Sequence, residues 1–195
     1  MIIYLHGFRS APSSIKAQAL QSHMAAKGLG NAFWCEQLPV APQVAIARIE
    51  AQIAHCRREQ PQHPPTLVGS SLGGYYATHL AEKHDLRAVL VNPAVVAPLS
   101  LEAYVGEQTN LYTGETFAFT HEYIAQLRAI DVATITRPHN FWLLVETGDE
   151  VLDYRDAVTK YTGARQTVLE GGDHGFSRWT DYLDDVLVFA GITAK

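Results

Sequence analysis

The chain is expected to adopt an α/β fold, a mostly parallel six-stranded sheet with helices on both faces. Three observations predict it. Short apolar runs alternate with segments that repeat apolar residues at helical spacing, the pattern of strand–helix–strand units joined by right-handed crossovers. Several of the runs are apolar at every position, as a strand must be when both of its faces are covered. The distinctive polar residues fall just after the runs, at the carboxyl ends of the strands, where sheets of this kind bind ligands.

The first run, 2–5, stops at His6-Gly7-Phe8. Pro12 and two serines form a loop, after which Ile15, Ala19, Leu20 and Met24 mark a helix that Gly28 ends. A second strand is expected over 31–38 and a turn over 39–42. Ile46, Ile49 and Ile53 then share one face of a helix that begins near Pro42 and stops before the proline cluster at 61–65. The third strand, 66–69, runs into a helix over 72–84, and the fourth, 87–91, ends at Asn92-Pro93. From 97 to 130 the alternation lapses. This stretch carries Tyr104, Tyr112, Phe117, Phe119 and Tyr123 without clean periodicity, and Thr120 is suited to cap a helix running to Ala129. Insertions of this kind sit over strand ends, so 97–130 is expected to form a small cap whose aromatics line an apolar acyl pocket, each of them equally suited to filling a core. A fifth strand over 141–146, a helix marked by Val151, Tyr154, Val158 and Tyr161, a sixth strand over 166–169 and a helix from Trp179 to Ala190 complete the series.

With 195 residues, the whole of 1–195 is expected to form one domain. Hydrophobic residues make up 47% and charged residues 18%, which argues against disorder. The formal net charge is −5 and basic residues are scattered, so nothing marks a partner such as nucleic acid or an anionic membrane. The most apolar region, 86–101, is broken by Asn92, Pro93 and Pro98 and falls short of the roughly 18 continuous apolar residues of a membrane span. The start, MIIYLH, has no basic flank or small-residue cleavage site and reads as a strand rather than a signal peptide. Only Cys35 and Cys56 are present, far apart and outside any redox motif, so a reducing cytoplasm is the expected location. No Gly-Lys-Ser/Thr phosphate loop and no His/Cys/Asp cluster with metal-ligand spacing occurs, so neither a cofactor nor a metal is expected.

The chemistry centres on 66–80, TLVGSSLGGYYATHL, where a strand pattern passes through a Gly-rich corner into a helix. Gly69 and Gly73 flank Ser71 at two residues on either side, so GSSLG fits G-x-S-x-G; side chains there would collide as strand and helix fold back together. Ser70 has Val68 and Leu72 at those distances and reads as a supporting residue. Asp149 follows the fifth strand and His174, one of 9 histidines, lies in a Gly-rich loop after the sixth. Serine, aspartate and histidine in that chain order are the triad order of α/β-hydrolases. In that arrangement His174 takes the proton of Ser71 and returns it to the leaving group, Asp149 fixes the imidazole tautomer, and the backbone N–H groups of Leu72 and Phe8 receive an oxyanion. Glu150, Asp153 and Asp156 compete with Asp149, which lies nearest the strand end; Asp173 adjoins His174 only in sequence, and His6 is assigned a structural role in its turn.

The segments HGFRSAPSSIKA, VGSSLGGYYATHLA, VNPAV, NLYTG, TGDEVLDYR and RQTVLEGGDHGF together resemble the small bacterial esterases of the YqiA type, in the UPF0227 group of α/β-hydrolases, over about 2–189. The resemblance implies a compact α/β-hydrolase lacking the first two strands of the full fold. It also implies hydrolysis of a small-molecule carboxylic ester or thioester, with Ser71, Asp149 and His174 at the matching positions. Arg9 stands where the family is expected to carry Asn, and Asp173 where Asn is expected before the base; Arg9 would bias the entrance toward anionic substrates. The expected activity is a serine esterase acting on short- to medium-chain acyl groups. An acyltransferase or lyase on the same fold, or a non-catalytic ligand-binding module, is the alternative.

Overall fold

A computed structural model describes residues 1–192. The chain runs β1 (Ile2–Leu5), α1 (Ile15–Ala26), β2 (Phe33–Trp34), α2 (Pro42–Glu59), β3 (Thr66–Ser70), α3 (Leu72–His84) and β4 (Ala88–Val91). It continues through α4 (Ala97–Ser100), β5 (Gly106–Thr109), β6 (Thr116–Phe119), α5 (His121–Ala129), β7 (Phe141–Glu146), α6 (Tyr154–Lys160), β8 (Arg165–Leu169) and α7 (Leu183–Phe189). Six strands form one sheet in the order β2-β1-β3-β4-β7-β8, and every pairing in it is parallel. This is the parallel six-stranded α/β sheet that the alternation predicts.

The central strands β1, β3, β4 and β7 are buried along their whole length and largely apolar, because successive side chains enter two different cores. Ile3, Leu5, Leu67, Leu90 and Leu143 pack with α2 and α3 on one face. Their neighbours Ile2, Tyr4, Val68, Val91 and Leu144 pack with α1 and α7 on the other. From β1 the chain travels outward to β2 and then returns past β1 to lay down β3. The connections leaving β1 and β3 therefore depart on opposite faces, α1 on one and α3 on the other. That reversal opens a crevice at the carboxyl ends of β1 and β3, the place where open α/β sheets bind ligands.

Four stretches depart from the sequence reading. The second strand is confined to Phe33–Trp34 rather than 31–38, because the following segment swings toward the end of β1, where the Leu38 N–H donates to His6 Nε2 at 3.0 Å. The helix expected from Val151 starts only at Tyr154, with Asp153 accepting the Arg155 N–H as its cap. The N–H groups of Val151 and Leu152 are drawn to Asp149 instead. The closing helix is a 3₁₀ turn over Trp179–Tyr182 followed by α7. Within 97–130, α5 forms with Thr120 as its cap, but an antiparallel hairpin of β5 and β6 that the sequence reading lacked lies before it. The hairpin is tied to the loop after β1: the Leu111 N–H donates to Arg9 O at 2.8 Å, Asn110 Nδ2 to Ser10 O at 2.8 Å and Arg9 Nε to Thr109 O at 2.9 Å.

Candidate active site

Ser71 occupies the corner between β3 and α3 at φ 54 and ψ −122, a region that L-residues rarely adopt and that costs on the order of 1–3 kcal/mol. The corner is tight enough to exclude side chains on both sides. A Cβ on Gly69 would lie 2.3 Å from the Gly73 carbonyl oxygen, and one on Gly73 would lie 1.9 Å from that of Leu5. Bonds from Ser71 N–H to Val91 O at 3.2 Å, and from the N–H groups of Gly74 and Ala94 to Ser71 O at 2.9 and 3.0 Å, hold the corner in this shape. Ser70, one residue earlier, is buried in β3.

The loop after β8 brings His174 to this serine. His174 Nε2 lies 3.1 Å from Ser71 Oγ, and His174 Nδ1 lies 2.8 Å from Asp149 Oδ2 and 3.0 Å from Oδ1. With Nδ1 facing a carboxylate, its proton is fixed there and Nε2 is left as the basic nitrogen toward Ser71. The Asp149 side chain is only 3% exposed, and its Oδ1 also accepts the N–H groups of Val151 and Leu152 at 2.8 and 2.9 Å. Burial pushes the Asp149 pKa up, but the His174 imidazole and these two N–H groups outweigh it and hold the carboxyl below its usual range. Of the competing acids, Glu150 accepts the backbone N–H of His174 at 3.0 Å, Asp153 caps α6 and Asp156 lies in the first turn of α6.

The loop after β1 closes the other side. A Cβ on Gly7 would lie 3.1 Å from Ser71 Cβ, so this glycine lets the backbone leading to Phe8 run against the serine. Phe8 and Leu72 both line the cleft that holds Ser71, and the Leu72 N–H, first in α3, has no acceptor within the helix. His6 sits under this loop as a neutral imidazole: Nδ1 is 3.0 Å from Gly7 O and Nε2 accepts the Leu38 N–H at 3.0 Å. Burial lowers its pKa, in keeping with a ring that must keep one nitrogen unprotonated.

Two residues that sequence reasoning missed hold the His174 loop from beneath. Glu146, 0% exposed, accepts the Asp173 N–H at 2.9 Å, the Ser177 N–H at 3.1 Å and Arg178 Nε at 2.8 Å. Burial opposes its charge, yet these donors keep its pKa below the ordinary value. Gly172, at φ +74, has no room for a side chain because a Cβ would lie 2.0 Å from Glu146 Oε2. Asn92 donates from Nδ2 to Asp173 O and His174 O at 2.9 and 3.2 Å and accepts the Glu146 N–H at 3.0 Å. A charge closing an apolar run reads as a solvated strand end, so Glu146 left no signal except Gly172, which makes room for it.

Two clefts meet at Ser71. One, about 230 Å³, is walled by Leu72, Ala94, Leu101, Tyr104, Leu111 and Leu152. The other, about 400 Å³, runs between α1 and the His174 loop. Of the aromatics in 97–130, Tyr104 faces the first cleft and Tyr112 the second; Tyr104, Phe117 and Phe119 pack edge-on with Phe8, and Tyr123 packs tilted against Phe119. The apolar wall is therefore mainly aliphatic. Among the described residues no helix is long and apolar enough to cross a membrane, and no group of three or more His, Cys, Asp or Glu side chains is arranged to hold a metal ion.

The model of the family described as "Uncharacterised protein family (UPF0227)" matches residues 1–191. The chain belongs to this family. Among solved structures, the esterase domain of a Rhodothermus marinus protein is similar at 17% identity and a TM-score of 0.67, over 97% of this chain and 85% of that one. Est1E from Butyrivibrio proteoclasticus with ferulic acid bound is similar at 14% identity and TM-score 0.68, over 96% and 87%. Alpha/beta hydrolase domain-containing protein 10 from mouse is similar at 19% and 0.66, over 96% and 89%. At these identities the likeness is one of fold: the UPF0227 chain has the α/β-hydrolase fold.

Proposed function

We propose that this UPF0227 protein is a serine esterase, with Ser71 as nucleophile, His174 as general base and acid, and Asp149 as the group that orients the imidazole and stabilises its charged form. One observation carries the reading: Ser71 Oγ, His174 and Asp149 form a hydrogen-bonded chain of 3.1 and 2.8 Å at the sheet's ligand-binding edge. In the reaction, His174 Nε2 accepts the Ser71 proton as Oγ attacks the ester carbonyl. The oxyanion that forms is held by the N–H groups of Leu72 and Phe8, an arrangement in which each donor is worth about 10²- to 10³-fold in turnover. His174 then protonates the departing alcohol or thiol, and a water deprotonated by the same nitrogen releases the acid from Ser71.

The acyl group occupies the aliphatic cleft beside Leu72, the side on which the oxyanion donors lie, and its size favours short to medium chains. Residues 97–130 act as a small cap: Leu101, Tyr104 and Leu111 reach from this stretch into the cleft, and the hairpin is bonded to the loop that carries Phe8. The similarity to proteins called esterases supports the same reaction class.

The decisive experiment is hydrolysis of 4-nitrophenyl esters from acetate to dodecanoate by the wild type and Ser71→Ala. Turnover by the wild type and a loss in the variant on the order of 10⁶-fold, with a chain-length optimum in the short to medium range, is the expected result. Equal inertness of the two proteins, together with a fluorophosphonate that leaves Ser71 unmodified, would sink the assignment.

A further inference from the structure

The second cleft contains a cation that the fold leaves without a counter-ion. Lys16, in the first turn of α1, lines it together with Ser71, His174 and Arg9. The Lys16 ammonium has three donors, and its one hydrogen bond among the described residues goes to Gly175 O at 2.7 Å. Arg9 is held at φ 55 and uses Nε on Thr109 O, which leaves both of its NH₂ groups without a protein acceptor among the described residues. Neither cation has a carboxylate within the 4.0 Å of an ion pair among the described residues, although Lys27, Lys83, Lys160 and Arg178 each have one.

A partly desolvated cation without a partner costs folding free energy. Burial pushes the Lys16 pKa down, and the more distant carboxylates of Asp173, Asp149 and Glu146 offset this only in part. Asp173 is the single carboxylate on the cleft wall, against Lys16 and Arg9, so the balance there is positive in a chain whose formal charge is −5. Retaining two unpaired cations beside a nucleophile is accounted for if a ligand supplies the missing charge.

The side on which they stand names the part of the ligand. His174 must protonate the leaving group, so whatever that oxygen or sulfur carries lies along the His174 loop. Lys16 is bonded to that loop at Gly175, the residue after the base. The acyl cleft, lined by Leu72 and Leu101, is also lined by Arg9 but not by Lys16. We infer that the substrates are esters whose leaving group carries an anion, a carboxylate or a phosphate, and that Lys16, assisted by Arg9, binds it in the cleft between α1 and the His174 loop. This inference rests on the esterase reading and names the substrate class for it.

The test uses the butanoyl esters of phenol, 3-hydroxybenzoate and 3-hydroxyphenyl phosphate, followed by acid release with the wild type, Lys16→Gln and Lys16→Arg. The meta position keeps the three leaving phenols similar in basicity. Expected in the wild type is a kcat/KM at least about tenfold higher for an anionic ester than for the neutral one. That ratio should fall about 10- to 100-fold in Lys16→Gln, the range of a charge-assisted hydrogen bond, and persist in part in Lys16→Arg. Comparison of the carboxylate and phosphate arms identifies the anion. Gln retains an N–H donor for Gly175 O, so a purely structural role for Lys16 would change all three esters alike and leave the ratio in place, which overturns the inference; so does a wild-type ratio near one.

Binding of 3-hydroxybenzoate, 3-hydroxyphenyl phosphate and phenol, measured by calorimetry with the wild type and Lys16→Gln, needs no turnover. Anion binding that Lys16→Gln weakens, in a protein inert toward every ester, would uphold the anion site while the esterase reading fails. Hydrolysis of all esters with no anion preference would uphold the esterase reading while the anion site fails.

Discussion

At Asp149 one carboxylate does two jobs that together make its identity hard to vary. Its Oδ1 accepts two backbone N–H groups, which shapes the loop after β7, and both oxygens face His174 Nδ1. Asp149→Asn keeps the size of the side chain but offers an amide that can donate to Nδ1, which turns the imidazole to the tautomer carrying its proton on Nε2, toward Ser71. That is the wrong nitrogen for a base. We expect kcat to fall about 10⁴-fold with KM little changed, because no substrate contact is lost. Steady-state kinetics on a 4-nitrophenyl ester settles it; a loss of less than tenfold would mean that another carboxylate orients His174. Ser71, Asp149 and His174 were legible because each follows a strand and because glycines mark the corners. Lys16 was not, since a lysine among apolar helix positions reads as a solvated face, and only the packing of α1 against the His174 loop encloses it.

At the scale of elements, the site is a set of loops pinned by the strand that precedes each one. The loop after β8 is pinned across the sheet by β7 through Glu146 and by the residue after β4 through Asn92. Glu146→Gln replaces an acceptor-only group by one with an N–H₂ that must face Arg178 or a backbone donor. Disrupting a buried charge network of this kind costs about 3–5 kcal/mol, and a shift of His174 by a fraction of an ångström should lower kcat more than it raises KM. Urea unfolding measures the first effect and a kcat-against-KM comparison the second; a stable variant with normal kcat would show that Asn92 alone holds the loop. The strands and long helices were legible because burial on two faces demands unbroken apolar runs and helical stripes. The β5–β6 hairpin was not, since Gly106, Glu107 and Thr109 are exposed and give its first strand no buried face to impose alternation. The short β2 was overextended because Cys35 and Leu38 bracket the exposed Glu36 and Gln37, and Leu38 is buried where its N–H meets His6 rather than in the sheet.

Across the whole molecule the same design appears as a single direction of pH dependence on the acid side. His6 is buried and His79 half-buried, and both have pKa values below the ordinary 6.5, chiefly through desolvation. Asp149 and Glu146 lie below their ordinary 3.8 and 4.5, because burial is outweighed by hydrogen bonds. For each of the four, the unfolded chain binds the proton more readily than the folded one, so stability rises with pH across the interval between the two pKa values. The histidine contribution is fully present above 6.5 and is lost as pH falls through the folded-state pKa; the carboxylate contribution is lost in the same sense below about 4. On the alkaline side the sign reverses, since burial raises the pKa of Tyr76 and carries that of Cys35 to about 12, and the unfolded chain then releases protons that the folded one keeps. The urea midpoint is therefore expected to be highest near neutral pH, to fall between pH 7 and 5, and to fall again toward pH 3. His6→Gln tests the origin of the first step. Its side-chain carbonyl can still accept the Leu38 N–H but has no proton to gain, so the decline from pH 7 to 5 should become shallower than in the wild type. An unchanged slope would transfer that step to His79, and a midpoint that rises on acidification would contradict the neutral, doubly bonded His6 on which the Phe8 loop rests.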